Sequence, residues 1–357
     1  MTRIDLVVLQ VMLSRILLAI GVFFGLIVLV ESIDSWRFNY LMSVGGLPMA
    51  LLGIVTGSAV WLLRGLTVVV LVGAVAGVID LQARRELTII KAAGTSIWKV
   101  LRAPALVLLL AGLAVTLVVQ DAVVSTNRGL DATIPGNDQA ALSPTDGLWL
   151  EQYANGERYV LQAEHVVGHG RELRDVAFYL QDGLRQGRIL APSVKLIDGA
   201  WFMPTATRYR AGQPAEALTN YAIPTTTTIG DLRIKLTNTD DMTFYELAAS
   251  LRTKVSDPGL RSAVATRFLR LLSLPALLVG ALFIAFAFAA GYRRGSGYGV
   301  PILYAILMGF VVFVITEMAD RAGSAGVLDP TFAACGPAFV AVVIGLTVLL
   351  YREDGWA

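Results

Sequence analysis

The sequence predicts an α-helical membrane protein with six transmembrane helices and one inserted all-β domain. Of the 357 residues, 55% are hydrophobic and only 16% are charged, which makes the chain too apolar for an ordinary soluble protein of its length. Polar residues are concentrated in one long segment, residues 121–242, whose frequent turn signals are typical of a β domain. Residues 1–120 and 243–357 are therefore predicted to hold three membrane helices each.

Long apolar stretches mark the predicted spans, since a helix needs about 20 apolar residues to cross the hydrocarbon core. The stretch 38–79 contains one charge, Arg64, and is too long to cross upright, so it must tilt, kink or protrude. Residues 16–30 lack a signal-sequence cleavage site and are predicted to be retained. The spans other than the second are predicted at residues 16–30, 103–120, 271–292, 295–316 and 330–351.

The distribution of Lys and Arg predicts the orientation of the chain. These residues are concentrated in the connection 80–102 and in the short loop at Arg293 and Arg294, so both connections are expected in the cytoplasm. The connections 31–37 and 317–329 hold one Arg each beside several acids. Both termini are therefore predicted to be cytoplasmic, and the β domain to lie outside.

Turn dipeptides divide the polar segment into predicted strands. Segments rich in Val, Tyr, Phe and Leu lie between these dipeptides, a pattern that predicts a sandwich or jelly-roll of roughly 100 residues. The dipeptides are Asp146-Gly147, Asn155-Gly156, Asp182-Gly183 and Asp198-Gly199, and the predicted strands are residues 158–167, 176–181, 193–197 and 200–203.

An amphipathic helix is predicted directly after the β domain. Thr243 and Glu246 have the spacing of a capping box, and Phe244, Leu247 and Leu251 follow at helical spacing. We expect this helix to lie on the outer surface of the membrane.

The residues argue against catalysis, a metal site and nucleic-acid binding. The net charge is only +2 and no phosphate-binding loop is present. His165 and His169 lack the Glu of a zinc-protease helix, and we predict that both are surface residues. The single cysteine, Cys335, is predicted to pack in the last span.

The cytoplasmic connection contains a short predicted helix, residues 81–94, that ends at a Gly94 C-cap. A positively charged anchor is one interpretation of this segment. A docking surface for a cytoplasmic partner is the other, because Leu87, Ile89 and Ile90 would leave apolar surface in the cytoplasm. Its lone acid, Glu86, lies among three cations, Arg84, Arg85 and Lys91.

The complete arrangement resembles the permease subunits of the lipopolysaccharide exporter, the LptF/LptG family. The most specific string is Arg-Glu-Leu-Thr-Ile-Ile-Lys-Ala-Ala-Gly at residues 85–94, which is similar to the coupling helix of that family. Gly-Leu-Trp at residues 147–149 and Tyr-Arg-Arg-Gly-Ser-Gly at residues 292–297 look more like LptG than LptF. One departure is Thr67, where many members have a proline.

The resemblance implies an inner-membrane protein of a Gram-negative bacterium with a periplasmic jelly-roll. The implied partners are an LptF-like permease as heterodimer partner, an LptB-like ATPase dimer that binds ATP and Mg²⁺, an LptC-like bitopic jelly-roll protein, and lipopolysaccharide. The residues implied in ATPase coupling are Arg84, Arg85, Glu86, Leu87, Ile90 and Gly94. The implied lateral gate combines Phe23, Phe24, Ile27 and Val30 in span one with Tyr304, Leu307 and Phe310 in span five.

Charge placement adds a further hypothesis about the lipid. Arg64 either faces a cavity or snorkels to the outer head-group layer, and Arg37 and Arg321 lie near the predicted outer rim. All three are candidates for binding lipid phosphates. Two alternative functions stay open, namely a permease for another lipid or lipoprotein, and a membrane-anchored periplasmic scaffold or sensor.

Overall fold

The computed structural model contains two compact units, each with its own hydrophobic core. One comprises Met1–Asn127, Thr243–Tyr245 and Ala265–Ala357, and the other Arg128–Met242 and Glu246–Val264. The structure describes residues 3–33, 35–131, 133, 148–154, 157–167, 172–180, 187–197, 199–210, 212–227, 232, 239–252, 258–289 and 299–353.

Helices dominate the described residues on both sides of the β domain. A π-helical turn, Val115–Val119, joins α4 to α5 without a break. The helices are α1 (Arg3–Glu31), α2 (Ser35–Ala83), α3 (Glu86–Ala92), α4 (Ile97–Ala114), α5 (Gln120–Asp131), α6 (Phe244–Arg252), α7 (Pro258–Ala289), α8 (Gly299–Ser324) and α9 (Pro330–Glu353).

Within the described residues, five helical segments are long and apolar enough to cross a membrane. They are α1, α2, the continuous helix from α4 through α5, α7 and α9. The predicted helical membrane fold is thereby confirmed. Helix α8 covers most of the predicted fifth span, and the total of six spans stays a prediction.

A break near the start of α2 resolves the question of its length. Gly46 has φ 68° and ψ −168°, which divides the 49-residue helix into two segments. Glycine adopts positive φ without the Cβ clash of other residues, and Pro48 in the next turn suits the start of a helix. The kink thus lies near the N-terminal end of α2 and not at Thr67, the position where the resemblance leads us to expect a proline.

Glycines allow close approach between the spanning helices. A Cβ atom added at Gly73 of α2 would lie 2.7 Å from Cα of Ile16 in α1, and one at Gly112 of α4 would lie 2.7 Å from Cα of Pro275 in α7. Helix association in lipid depends on such close van der Waals packing, because apolar side chains gain nothing by leaving apolar lipid. These glycines therefore allow the backbone of α1 to pack closely against α2, and that of α4 against α7.

The described strands form one antiparallel sheet in which every strand pairs with its neighbours in sequence. This confirms an inserted β domain. A sandwich would divide the strands between two facing sheets, whereas the six described strands form a single meander. They are β1 (Leu148–Ala154), β2 (Glu157–Val167), β3 (Glu172–Leu180), β4 (Gly187–Ile197), β5 (Ala200–Tyr209) and β6 (Glu216–Pro224).

The predicted turns coincide with gaps between the described strands. Gly199, with φ 75°, joins β4 to β5 and accepts a hydrogen bond from the Thr225 amide at 2.8 Å. Asp198 and the other three turn dipeptides lie outside the described residues. Strand β6 was missed in the sequence, because most of its side chains are exposed and show no apolar alternation.

Helix α6 confirms the amphipathic helix predicted after the β domain. Leu247 is fully buried, and the ring of Phe244 stacks on that of Phe268 with 5.0 Å between centroids. The Phe244 amide donates to Oε1 of Gln120 at 3.1 Å, so a side chain from α5 satisfies one of the free amides at the helix start. The position of α6 on the membrane surface stays a prediction.

Tyr159 lies in the core of the β domain and is almost completely buried. Its ring packs 6.0 Å from that of Phe178, and its hydroxyl donates to the Pro224 carbonyl oxygen at 2.8 Å. Burial raises the pKa of Tyr159 to about 12. The hydroxyl therefore stays protonated in the folded domain well above the pH at which an exposed tyrosine ionises.

We predict that Tyr159→Phe lowers the stability of the β domain by about 1 kcal/mol at neutral pH, through loss of that hydrogen bond. Above about pH 10 the unfolded wild type loses the tyrosine proton while the folded form keeps it, so wild-type stability falls until about pH 12. Tyr159→Phe has no ionisable hydroxyl at this position and therefore lacks this loss of stability. Thermal unfolding at pH 8 and pH 11 in detergent tests it, and an equal pH-dependent loss in both proteins would contradict the prediction.

Candidate coupling site and membrane groove

The predicted cytoplasmic helix is present as α3, between α2 and α4. Two residues with positive φ frame it, Arg85 at 57° and Gly94 at 74°. The Thr95 amide donates to the Ile90 carbonyl oxygen at 3.4 Å, which with left-handed Gly94 forms the C-terminal cap expected from the sequence. Sharp turns at both ends thus separate α3 from the spanning helices.

The two faces of α3 have different environments. Leu87 and Ile90 lie three residues apart and are buried in the core of the spanning unit. The expectation that they leave apolar surface in the cytoplasm was therefore wrong, because helical spacing turns them toward their own chain. Ile89 points the other way and is 66% exposed. One face of α3 packs against the spanning unit, and the opposite face is exposed.

Glu86 begins α3 with an unsatisfied carboxylate. Its Oε2 is buried and has no hydrogen-bond partner among the described residues. The nearby Arg84 donates from Nε to Asp80 Oδ1 at 3.1 Å. A buried charged oxygen without a donor is costly. Arg84 and Arg85, which precede α3, and Gly94, which follows it, are exposed.

The predicted gate residues of α1 line an open groove of about 400 Å³. Phe23, Ile27 and Val30 contribute to its wall, whereas Phe24 does not belong to the lining. The other lining residues are Leu26, Glu31 and Trp61 of α2. Apart from the carboxylate of Glu31, the wall is apolar and suits a hydrocarbon chain.

The predicted gate residues of α8 share one exposed face. Tyr304, Leu307 and Phe310 are spaced three residues apart, and each is more than half exposed. A neighbouring glycine on the same helix, Gly309, lies against Leu71 and Val68 of α2. Helix α8 therefore packs on its own chain with one side and presents aromatic and aliphatic side chains on the other.

The three candidate phosphate-binding arginines do not converge on one site. Arg37 pairs with Glu31 at 3.2 Å and donates to Oδ1 of Asn127 at 2.7 Å. The guanidinium of Arg64 lies 5.0 Å from the ring centroid of Trp61, at the groove. Arg321 is highly exposed, with Nε 3.6 Å from Glu317. Arg64, beside Trp61, and Arg37, paired with Glu31, each contact a residue that lines the groove.

A further ion-paired arginine was missed in the sequence. Arg270 of α7 contacts Glu317 at 3.3 Å and also pairs with Asp320, both in α8. The signal in the sequence was that Arg270 directly precedes the predicted span 271–292, while Glu317 and Asp320 follow the predicted span 295–316. Their pairing depends on how α7 and α8 pack, which the sequence does not state.

His165 is an exposed surface residue, as predicted, and its Nδ1 lies 3.6 Å from the Asp175 carboxylate. His169 lies outside the described residues. Cys335 is half-buried in α9, in agreement with a packing role.

Comparison with protein families matches the chain to the family described as lipopolysaccharide export system permease LptF/LptG. The match covers residues 10–352, from α1 to the last turn of α9, and it does not separate LptG from LptF. No curated protein matches the chain.

Proposed function

We infer that this chain, which belongs to the LptF/LptG family of lipopolysaccharide export permeases, is one permease subunit of an ATP-driven exporter in the inner membrane. Membership gives the chain a place in the lipopolysaccharide export system and in the membrane. The proposal adds the energy source, the route of the lipid and the partners. The termini are cytoplasmic and the β domain is periplasmic in this proposal.

Helix α3 is the observation that supports the proposal most. Its buried face fixes it to the spanning unit, while Ile89 is exposed and Glu86, a half-buried acid, begins the helix. A groove in an LptB-like ATPase dimer that offers a cation to Glu86 and an apolar wall to Ile89 would complement both. ATP and Mg²⁺ are bound by that partner, and this chain supplies no catalytic group.

The membrane groove gives the proposed lipid route. Acyl chains of lipopolysaccharide enter from the outer leaflet between the α1 groove of this chain and the fifth span of an LptF-like partner. The apolar lining matches acyl chains, and Arg64 beside Trp61 suits a phosphate at the edge of the groove. The β domain then passes the lipid to an LptC-like jelly-roll protein.

Co-purification tests the proposed coupling site. We predict that the wild-type chain retains the ATPase, that Glu86→Arg loses it, and that Glu164→Arg retains it, because Glu164 is an exposed acid of the β domain and receives the same charge change. Normal retention by Glu86→Arg would contradict the proposal. A wild-type chain that retains no ATPase would favour the scaffold or sensor.

Arg64→Gln tests the lipid route in the assembled complex. Removing the cation from the edge of the groove should reduce lipopolysaccharide-stimulated ATPase activity several-fold, since a charge-assisted contact to phosphate contributes about 1.5–3 kcal/mol. Arg158→Gln, a change at an exposed arginine of the sheet, is the control. Unchanged stimulation rejects Arg64 as a phosphate ligand, and mass spectrometry of co-purified lipid separates lipopolysaccharide from other lipids.

A further inference from the structure

The last turn of α2 is bonded to two other spanning helices. Oδ2 of Asp80 accepts hydrogen bonds from Nε and Nη2 of Arg15 in α1, at 3.1 and 2.9 Å. Two residues later, Nε2 of Gln82 donates to the carbonyl oxygen of Ala289, the last residue of α7, at 2.6 Å. Residues two apart on a helix do not face the same side. The last turn of α2 is therefore hydrogen-bonded to α1 on one side and to α7 on another.

Asp80 also contacts the turn that leads into α3. Its second oxygen, Oδ1, accepts a hydrogen bond from Nε of Arg84 at 3.1 Å. One carboxylate oxygen is thus bonded to α1 and the other to the turn before α3. The Asp80 side chain is 17% exposed, against 38% for Arg15 and 56% for Arg84, so water screens the pair with Arg15 less than the pair with Arg84.

Helix α3 depends on such contacts for its position. It has seven residues, and a helix of that length is not stable by itself in water. Its anchors are the buried Leu87 and Ile90 and the turn at Arg84 and Arg85. A displacement of α3 by a bound partner therefore acts on that turn, and through it on Asp80.

We infer, on the basis of the proposed function, that Asp80 is a positioning residue that transmits movement of α3 to α1, with Gln82 as the corresponding link to α7. Helix α1 carries the residues that line the membrane groove, from Phe23 to Glu31. The carboxylate of Asp80 therefore links the ATPase-coupling helix and the lipid-binding helix by two directional ion pairs.

The test uses the complete complex of this chain, its partner permease and the ATPase in nanodiscs, with purified lipopolysaccharide as the probe. Asp80→Asn preserves the shape of the side chain and removes its charge. We expect normal ATPase retention and a ratio of lipid-stimulated to basal ATPase activity that falls about tenfold, the scale of a lost charged hydrogen bond. Asp80→Glu should recover most of the ratio, and Arg15→Gln should reproduce the loss.

Asp5→Asn is the matched control. Asp5, in α1, is another buried carboxylate, and it accepts a hydrogen bond from Nη2 of Arg102 in α4 at 2.6 Å. We expect this variant to keep the stimulation ratio even where its thermal midpoint falls as far as that of Asp80→Asn. Equal loss of the stimulation ratio in both variants would mean that Asp80 affects the ratio only through the stability of the protein. That result would overturn the inference.

A double-variant cycle decides whether Arg15 and Asp80 act together. Arg15→Gln combined with Asp80→Asn should lower the stimulation ratio no further than Asp80→Asn alone, whereas multiplied losses would overturn the inference. Normal ATPase retention with an unchanged ratio in Asp80→Asn overturns it while leaving the proposed function intact. A wild-type chain that retains no ATPase overturns both. If Asp80→Asn does not accumulate, the ratio measured for Arg15→Gln decides.

Discussion

Replacing Gly345 with leucine is expected to force α9 away from α7 and to destabilise the spanning unit by about 3 kcal/mol. A Cβ atom at position 345 would lie 2.5 Å from Cβ of Phe283, 3.0 Å from its carbonyl carbon and 3.1 Å from the amide nitrogen of Ile284. Two of these atoms are backbone, so a change of side-chain rotamer does not relieve the clash. The helices must separate, and both lose packing.

The measurement is the thermal midpoint of the purified chain in detergent, where we expect a fall of roughly 10 °C for a destabilisation of this size. Gly336→Leu is the control on the same helix, because a Cβ atom at Gly336 meets no atom within 4 Å. It makes the same change of side chain and should leave the midpoint nearly unchanged. Similar falls in both variants would contradict the packing described for Gly345.

Replacing Arg270 with alanine is expected to cost about 3 kcal/mol, because it removes the cation between two acids of α8 and leaves Glu317 only its contact with the exposed Arg321. The side chains of Arg270 and Asp320 are 17% and 18% exposed, and that of Glu317 is 33% exposed. Removing one partner of a largely buried pair exposes the other charge to an environment that solvates it poorly. The contact between α7 and the C-terminal part of α8 should weaken.

A second substitution separates lost pairing from lost packing. Asp320→Asn added to Arg270→Ala removes the charge that has lost its Arg270 partner and should recover part of the thermal midpoint. Arg158→Ala is the control, since Arg158 and Glu151 are each 55% exposed and such pairs contribute less than about 1 kcal/mol. If Arg158→Ala lowers the midpoint of its unit as far as Arg270→Ala lowers that of the spanning unit, burial is not the cause.

Particular elements show which parts of the structure could be predicted. The helices over the apolar stretches were predictable because hydrocarbon requires every backbone group to be satisfied within the helix. Strands β2 to β5 were predicted from turn signals and runs of Val, Tyr, Phe and Leu. Strand β6 was missed because its side chains are mostly exposed. The break at Gly46 had a readable signal, Gly-Gly-Leu-Pro at residues 45–48, that was not used.

The candidate site was predictable only in part. The string at residues 85–94 located α3 and its Gly94 cap, because these features depend on neighbouring residues alone. The burial of Leu87 and Ile90 was not predicted, since it depends on residues of other helices that form the same core. The groove at Trp61 and the pairing of Arg37 with Glu31 likewise require the packing of α1 against α2.

The sequence by itself determined that this chain crosses a membrane with helices, that a β domain is inserted between them, and that a short capped helix lies in the connection after α2. These properties follow from apolar run length, turn chemistry and helix capping, which act over a few residues. Only the tertiary structure decided which charges meet. Asp80 contacts Arg15 across 65 residues of chain, and Gln82 contacts Ala289 across 207. Such partners are selected by the close approach of helices, which depends on glycines and side-chain shapes distributed over the whole spanning unit.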